Sequence, residues 1–419
     1  MRRIQTSVCL FFFSVFAASG IAQEIEIKTQ TLTLQQAVER ALANYPALQI
    51  QQYSIEQAQG LKITAGLFPN PVITYYKEDL SLDRQKGGET TVFAGLPLNF
   101  LWSRWSRVSA ASAQVDAEKK MLANVRRLIK FEVQKVFVEA YFTKRSYQAW
   151  QKATAVFDKA AKASRVRLAD GDMSGYEQQR IAIEHLRYQK AEYEARVQLN
   201  NSRRQLAFLL DPNQSEMLVE TSANFPSPAP EIFQENVLAQ ALQTRPDLQA
   251  AKATVRSKQT ALTFAKWQRL PEVNVFVGYK KQVDDLKGAV VQVNFGFPIF
   301  NRNQGQVRSA RAAFDQQALA ADLLEKQVAL EVRQAYEKYR LYRQQVESRL
   351  AGEEYVEPSE QLLEIAQFSY AEGEMSLLEL LDGVRAYSES FQTKNDLFLK
   401  YQLSIFELEK AVATSITDY

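Results

Sequence analysis

Along most of the chain apolar side chains return every three or four positions, the period of a helix buried along one stripe. From Leu122 through Val125, Ile129, Val133, Val136 and Ala140 the steps are those of a coiled coil. They continue through Thr143, Tyr147, Trp150, Thr154, Phe157, Ala161 and Ser164 to Leu168. One additional four-residue step, from Ile129 to Val133, interrupts the heptads, and Leu324, Val328, Val332, Ala335, Tyr339, Tyr342 and Val346 reproduce it. No proline occurs between Pro97 and Pro212, and only Pro358 interrupts the region after Pro298. Each region therefore predicts a helix of about 65 residues, on the order of 100 Å long at 1.5 Å per residue.

After Pro71 and again after Pro271 the period changes to two. VITYYKED and TVFAGLPL predict one β-hairpin, spanning about 72–98, and VNVFVGYKKQ and AVVQVNFGFPI predict another, spanning about 273–299. SLDRQKGGE and VDDLKG are the expected turns. In the last strand Val291, Val293, Phe295 and Phe297 share a face opposite Gln292, Asn294 and Gly296, an alternation suited to a wall between lipid and water.

These elements are written twice. ALANYPALQIQQ resembles ALQTRPDLQAAK, so that Pro46 falls over Pro246 and Pro71 over Pro271. GLPL answers GFPI, FEVQKVFVEAY answers LEVRQAYEKYR, and ADGDMS (169–174) returns as AEGEMS (371–376). Residues 23–225 and 231–419 are the two expected repeats, joined by the proline-rich PSPAP at 226–230. Within each short motif Gly171 or Gly373 suits a left-handed helix end, and Ser174 or Ser376 suits the cap of a returning helix. Both motifs predict hairpin tips, with Asp172 and Glu374 near the positive end of the returning helix.

Composition narrows the setting. The chain opens MRR, runs through VCLFFFSVFAA and reaches Gly20 and Ala22 at signal-peptidase spacing, so residues 1–22 are the expected signal peptide. Cys9 lies near the beginning of the apolar run, which argues against N-terminal lipidation. Its loss with the signal would remove the only cysteine and, with it, disulfide and thiolate chemistry. The 51 Lys and Arg barely exceed the 48 Asp and Glu, leaving no basic excess for nucleic acid. No stretch after residue 22 approaches the roughly 18 apolar residues of a membrane-spanning helix. Four strands cannot close a barrel, and lipid-exposed strand edges cost several kcal/mol per unpaired group, so several chains are expected to share one barrel. Trp102, Trp105, Trp267, Phe68, Phe100 and Phe300 lie near the strand–helix junctions, where an aromatic girdle would meet headgroups.

In LTLQQAVERALANYPALQ, the proline-led strands, the GLPL and GFPI strand ends and AEGEMSLLELLDGVRAY, the chain resembles the TolC-like outer-membrane efflux factors over essentially all of its length after the signal. AGLFPNPVI (65–73) is most similar to the branch serving heavy-metal RND pumps. The resemblance implies a mainly α fold with a small β part and a homotrimer whose twelve strands close a β-barrel continuous with a periplasmic α-barrel. It further implies docking with a periplasmic adaptor and an inner-membrane RND pump, in contact with outer-membrane lipid. The expected function is passive conduction of substrates, heavy-metal cations foremost, from pump to exterior. An exit channel for drugs or for type I protein secretion has the same architecture. A soluble coiled-coil adaptor would add an inner-membrane anchor and a lipoyl-like domain, which the sequence lacks.

Enzymatic signatures are absent, and no cofactor or resident metal is expected. His185, the only histidine, reads as a solvated helix residue, since one imidazole makes no metal cage. The resemblance implies a constriction at Glu379 and Asp382, with Glu177 as the carboxylate of a closed-state latch. Met375 stands where the family carries a basic residue, and the basic and aromatic partners of the latch are not evident in the sequence. Asp170, Gly171, Asp172, Met173 and Ser174, with Glu372, Gly373, Glu374, Met375 and Ser376, are the expected tip and adaptor-docking residues. Asp170 and Asp172 lack the remaining ligands of a calcium loop. Met173 and Met375 read as cover for the tip rather than as soft-metal ligands.

Overall fold

The structure, a computed structural model, describes residues 29–416 apart from Arg84, 215–217, Asn224, 226–233 and 351–356. The expected signal peptide and the PSPAP linker lie outside the described residues.

The first half runs β1 (Thr29–Leu32), α1 (Leu34–Asn44), α2 (Pro46–Gly66), β2 (Val72–Leu82), β3 (Gln85–Pro97), α3 (Phe100–Asp170) and α4 (Gly175–Leu210). A short 3-10 turn then leads to β4 (Leu218–Thr221). The second runs α5 (Gln234–Thr244), α6 (Pro246–Trp267), β5 (Val273–Gln282), β6 (Lys287–Phe295), α7 (Gln304–Leu350), α8 (Glu357–Glu372) and α9 (Leu377–Val412). α3 is one helix of 71 residues, roughly 105 Å long. Its counterpart is two described helices of 47 and 16 residues, with Pro358 in the first turn of the second. There the missing N–H of proline removes nothing the helix would use. The helical segments leading to the strands also divide, because Pro46 and Pro246 each start a new helix.

β2, β3, β5 and β6 form one antiparallel sheet in that order, leaving β2 and β6 as edges. The helices continuing from these strands pack in the same order, α2 on α3, α3 on α6 and α6 on α7. The first hairpin is longer than its pattern predicts. Ser81, Leu82 and 85–89 pair in register up to Leu82 opposite Gln85, with Asp83 at φ 50° in the turn. The polar QKGGE stretch reads as turn by residue type, yet antiparallel pairing satisfies its backbone regardless of side chain. β6 ends at Phe295, so Phe297 lies beyond the strand, in edge contact with the Phe295 ring at 5.2 Å. β1 and β4 pair in parallel and tie the start of the described chain to the segment after α4.

Two cores stabilise the helices. One gathers Val133, Val136 and Phe137 of α3, Val328 and Val332 of α7, and Tyr401, Ile405 and Phe406 of α9 under α1, α5 and the small sheet. The other, nearer the tips, gathers Val156 and Phe157 of α3, Ile181 and Tyr188 of α4, Tyr370 of α8, and Leu380 and Val384 of α9. The coiled-coil stripe is buried at Val133, Val136, Ala140, Thr154, Phe157 and Ser164, whereas Leu168 is exposed. Thr154 donates to the Tyr188 carbonyl, which places this stripe against α4. A second stripe, Ala149, Ala153, Val156 and Ala160, is also buried. On that flank Ser146 donates to Gln392, and Asn395 of α9 donates to the Phe142 carbonyl. A helix inside a curved layer has neighbours on both sides, so one heptad stripe understates its burial.

A charge network fastens the end of α9. Arg245, 4% exposed, pairs with Asp247 at 2.7 Å and Glu331 at 2.6 Å, and Arg127 pairs with the same Asp247 at 3.1 Å. The two guanidinium groups also donate to the Lys410 and Ala411 carbonyls, which a helix end leaves without intrahelical partners. Burial alone would raise the Asp247 carboxyl, but the Arg245 hydrogen bond and the charges of Arg127 and Arg245 hold it below the usual range.

Candidate functional site

Register divides the four-stranded sheet into two chemically distinct faces. On one lie Ile73 and Tyr75, Val92 and Ala94, Val275, Val277 and Tyr279, and Val291, Val293 and Phe295, most of them exposed. The other carries Thr74, Tyr76 and Glu78, Glu89 and Thr91, Asn274, Lys280 and Gln282, and Gln292 and Asn294. A sheet alternating apolar and polar side chains in this way separates hydrocarbon from water. The apolar face extends from the row of Val273 and Phe295 to the row of Tyr75 and Tyr279. Among the described residues no helix is long and apolar enough to cross a membrane.

Two glycines keep the polar face open. Gly95 stands opposite Phe276 and Gly278 opposite Phe93, so each ring lies over the neighbouring glycine. A Cβ on Gly95 would meet the Phe276 ring at 2.1 Å, and one on Gly278 would meet the Val92 carbonyl oxygen and the Phe93 ring at 2.5 Å. The rings thus lie along the wall, and Glu89 and Lys280 form an ion pair on the same face.

At the strand–helix junctions the aromatics separate. Trp105 and Phe300 are 76% and 92% exposed, whereas Phe100 and Trp102 line a cavity of about 1080 Å³ with Arg107, Gln268 and Asn303. Arg104 and Arg107 donate to the Gly66 and Ala65 carbonyls, satisfying the end of α2 where it passes to β2.

At the far end of the helices the two tips have the same construction. Gly171 takes φ 83° and Gly373 φ 80°. Their N–H groups donate to the Leu168 and Tyr370 carbonyls, and the following residues, Asp172 and Glu374, donate to the Arg167 and Ser369 carbonyls. Ser174 caps α4 by accepting from the Glu177 N–H, while Glu177 accepts from the Ser174 N–H and hydroxyl. Ser376 and Glu379 repeat this reciprocal cap at the start of α9. The hydrogen bonds from the Ser376 hydroxyl and N–H hold the Glu379 carboxyl below its usual range.

Asp170, Asp172, Glu372, Glu374 and Asp382 are exposed, and Met173 and Met375 are half-buried against the tip core. The structure brings these residues to one end of the molecule. A basic and an aromatic side chain not evident from sequence stand there too. Arg167, in the last turn of α3, donates to the Tyr370 and Ala371 carbonyls and lies over the Tyr370 ring at 5.4 Å. Tyr370 is 5% exposed, and its hydroxyl has no hydrogen-bond partner among the described residues. Burial raises its pKa, Arg167 opposes this and the Glu177 charge assists. Arg167 belongs to the first tip and Met375 to the second, and the Glu177 carboxylate accepts from Ser174. His185 is less solvated than expected. Its side chain is 18% exposed, with Nε2 3.9 Å from the Asp158 carboxylate on α3. No group of three or more His, Cys, Asp or Glu residues able to hold a metal ion occurs among the described residues.

An open sheet with one lipid-compatible face, continued by helices longer than a membrane is thick, defines a channel-forming outer-membrane fold. Residues 237–414, most of the second half of the chain, match the family model of the outer membrane efflux proteins. It is 23% identical over 359 residues to the cobalt-zinc-cadmium resistance protein CzcC of Cupriavidus metallidurans, covering 84% of this chain and 83% of that protein. Its fold is similar to that of the Campylobacter jejuni CmeC outer membrane channel, with a TM-score of 0.75 and 16% identity over 92% of this chain and 87% of the other. It is also similar to CusC, whose structures concern transmembrane channel formation, with a TM-score of 0.72 and 16% identity over 91% and 92% of the two chains. The mainly helical TolC-like architecture with a small sheet is therefore shared with these channel structures along almost the whole chain.

Proposed function

We propose that three copies of this chain close a twelve-stranded barrel and form the outer-membrane exit duct of a tripartite RND-type efflux system, conducting heavy-metal cations passively from the periplasmic pump to the exterior. The observation that carries this reading is the sheet, which has one apolar face, one polar face and two unpaired edges in a single copy. Strand edges exposed to hydrocarbon are costly, and pairing β2 of one copy with β6 of the next removes them. The helical layer ends on the corresponding flanks. α2 and α4 expose Ile50, Tyr53, Leu61, Ile183, Leu186 and Tyr193, and α7 and α8 expose Leu319, Leu323, Leu330, Ile365 and Phe368. Apolar side chains on both flanks support the same neighbour along the whole length of the molecule.

CzcC, by its name a cobalt-zinc-cadmium resistance protein, favours divalent metal cargo over drugs or secreted protein. A duct that releases its cargo benefits from having no tight site, and the tips offer carboxylates without a metal cage. Threefold assembly would turn Glu379 and Asp382 into rings that favour cations, with Glu177 on the neighbouring tip. The exposed tip residues would receive the periplasmic adaptor. The cargo is tested by deleting the gene and measuring tolerance of cobalt, zinc, cadmium, copper, silver and common drugs. Selective loss of metal tolerance is expected, and loss of drug tolerance alone would assign the duct to drug efflux.

A further inference from the structure

The register places Lys77, Thr90, Lys281 and Lys287 in one row across all four strands, Lys77 opposite Thr90, Thr90 opposite Lys281 and Lys281 opposite Lys287. This row lies on the apolar face, one step beyond Tyr75, Val92, Tyr279 and Ala289, at the end of the sheet remote from the helices. From Val273 to Lys281 the strand covers about 26 Å, and less along the membrane normal because barrel strands tilt, which is comparable to the ~25 Å apolar band of outer-membrane barrels. The lysines therefore stand where the hydrocarbon ends on the external side. No pattern along the sequence announces them as a group, because Lys77 belongs to the first hairpin whereas Lys281 and Lys287 belong to the second, about two hundred residues later.

We propose that this lysine row is a binding surface for the phosphate groups of the negatively charged glycolipid of the outer leaflet. The proposal rests on the reading of the sheet as a barrel wall. Continuity with the apolar face selects a lipid, since any ligand reaching these ammonium groups from the side shares the row with acyl chains. Charge complementarity selects phosphate, because a neutral headgroup offers nothing to three cations. Two carboxylates compete. Lys77 pairs with Asp79 at 2.7 Å and Lys281 with Asp285 at 3.3 Å, all four side chains being at least half exposed. Exposed pairs of this kind are weak, so both ammonium groups can turn toward a phosphate while the carboxylates stay on the water side. Lys287 is exposed and forms no ion pair among the described residues. Repeated around three copies, the row would become a closed cationic belt above the lipid face.

The test reconstitutes the full-length assembled protein into phosphatidylcholine vesicles with and without bis-phosphorylated lipid A, re-extracts it and counts retained lipid by native mass spectrometry. Wild type should retain lipid A in preference to phosphatidylcholine. The combined Lys77→Gln, Lys281→Gln, Lys287→Gln variant should lose that retention by about tenfold, at roughly one surface-phosphate interaction per lysine discounted for the competing carboxylates. Retention of phosphatidylcholine should be unchanged, and the corresponding triple Arg variant should restore lipid A. Equal lipid A retention by wild type and the Gln variant would overturn the proposal while leaving the barrel reading intact. Failure of wild type to insert into either vesicle would instead overturn the barrel reading and the proposal with it.

Discussion

Single side chains at the tips serve two purposes, and substitutions can separate them. Glu379 closes a reciprocal cap with Ser376 and is also the candidate constriction carboxylate, so truncating it to alanine would confound helix start with charge. Glutamine at this position keeps the capping pattern and removes the charge. Glu379→Gln with Asp382→Asn should therefore weaken cation preference, seen as a reversal potential shifted toward zero in asymmetric salt, with the thermal midpoint almost unchanged. Ser376→Ala should do the opposite, costing about 1 kcal/mol at the start of α9 with little change in selectivity. An unchanged reversal potential in the first variant would remove Glu379 and Asp382 from the constriction. In the sheet, Gly278→Ala should impair assembly more than Gly95→Ala, because its new Cβ meets a backbone oxygen as well as a ring. The temperature at which the assembled species dissociates measures the difference.

Within and between elements, what the sequence disclosed depended on how local the cause was. The hairpins were legible in the alternation after Pro71 and Pro271, and the tips in the Gly and Ser positions, because each follows from neighbouring residues. The full extent of β2 and β3, the four-residue strands β1 and β4, and the second buried stripe of α3 follow from partners far along the chain. So does the network joining Arg127, Arg245, Asp247 and Glu331, where a basic residue beside a proline carries no sign of what it will meet. That network makes stability sensitive to acid. The Asp247 carboxyl is held below its ordinary value, so its contribution is complete above the unfolded value near ~3.9 and is lost as pH falls through the folded value. Asp247→Asn should remove this acid-side dependence. At neutral pH it should cost about 3 kcal/mol, since two buried guanidinium groups lose a shared partner. Thermal unfolding followed across pH would show both effects. On the alkaline side Tyr339, stacked on Tyr401, is pushed up to about 12, burial being the main cause. Its contribution is complete below the unfolded value near ~10 and is lost between about 10 and 12, and Tyr339→Phe should abolish that loss.

For the molecule as a whole, a four-stranded open sheet cannot enclose a pore, and in the proposed assembly its flanks meet copies of the same chain. The two cores hold the helices within a copy, whereas the apolar side chains on the outer flanks of α2, α4, α7 and α8 are left to other contacts. The direct measurement is disulfide formation between the edge strands, in a chain that has no natural cysteine after Cys9. Thr74→Cys on β2 and Gln292→Cys on β6 lie on the polar face of opposite edges, separated within a copy by three strand spacings of about 4.8 Å each, beyond the ~7 Å limit for a disulfide. Oxidation of membranes containing the double variant should give covalent two-chain and three-chain species and nothing larger, with each single variant stopping at pairs or monomers. Double-variant protein that stays monomeric on oxidation, with neighbouring cysteine pairs along both edges giving the same result, would contradict the account.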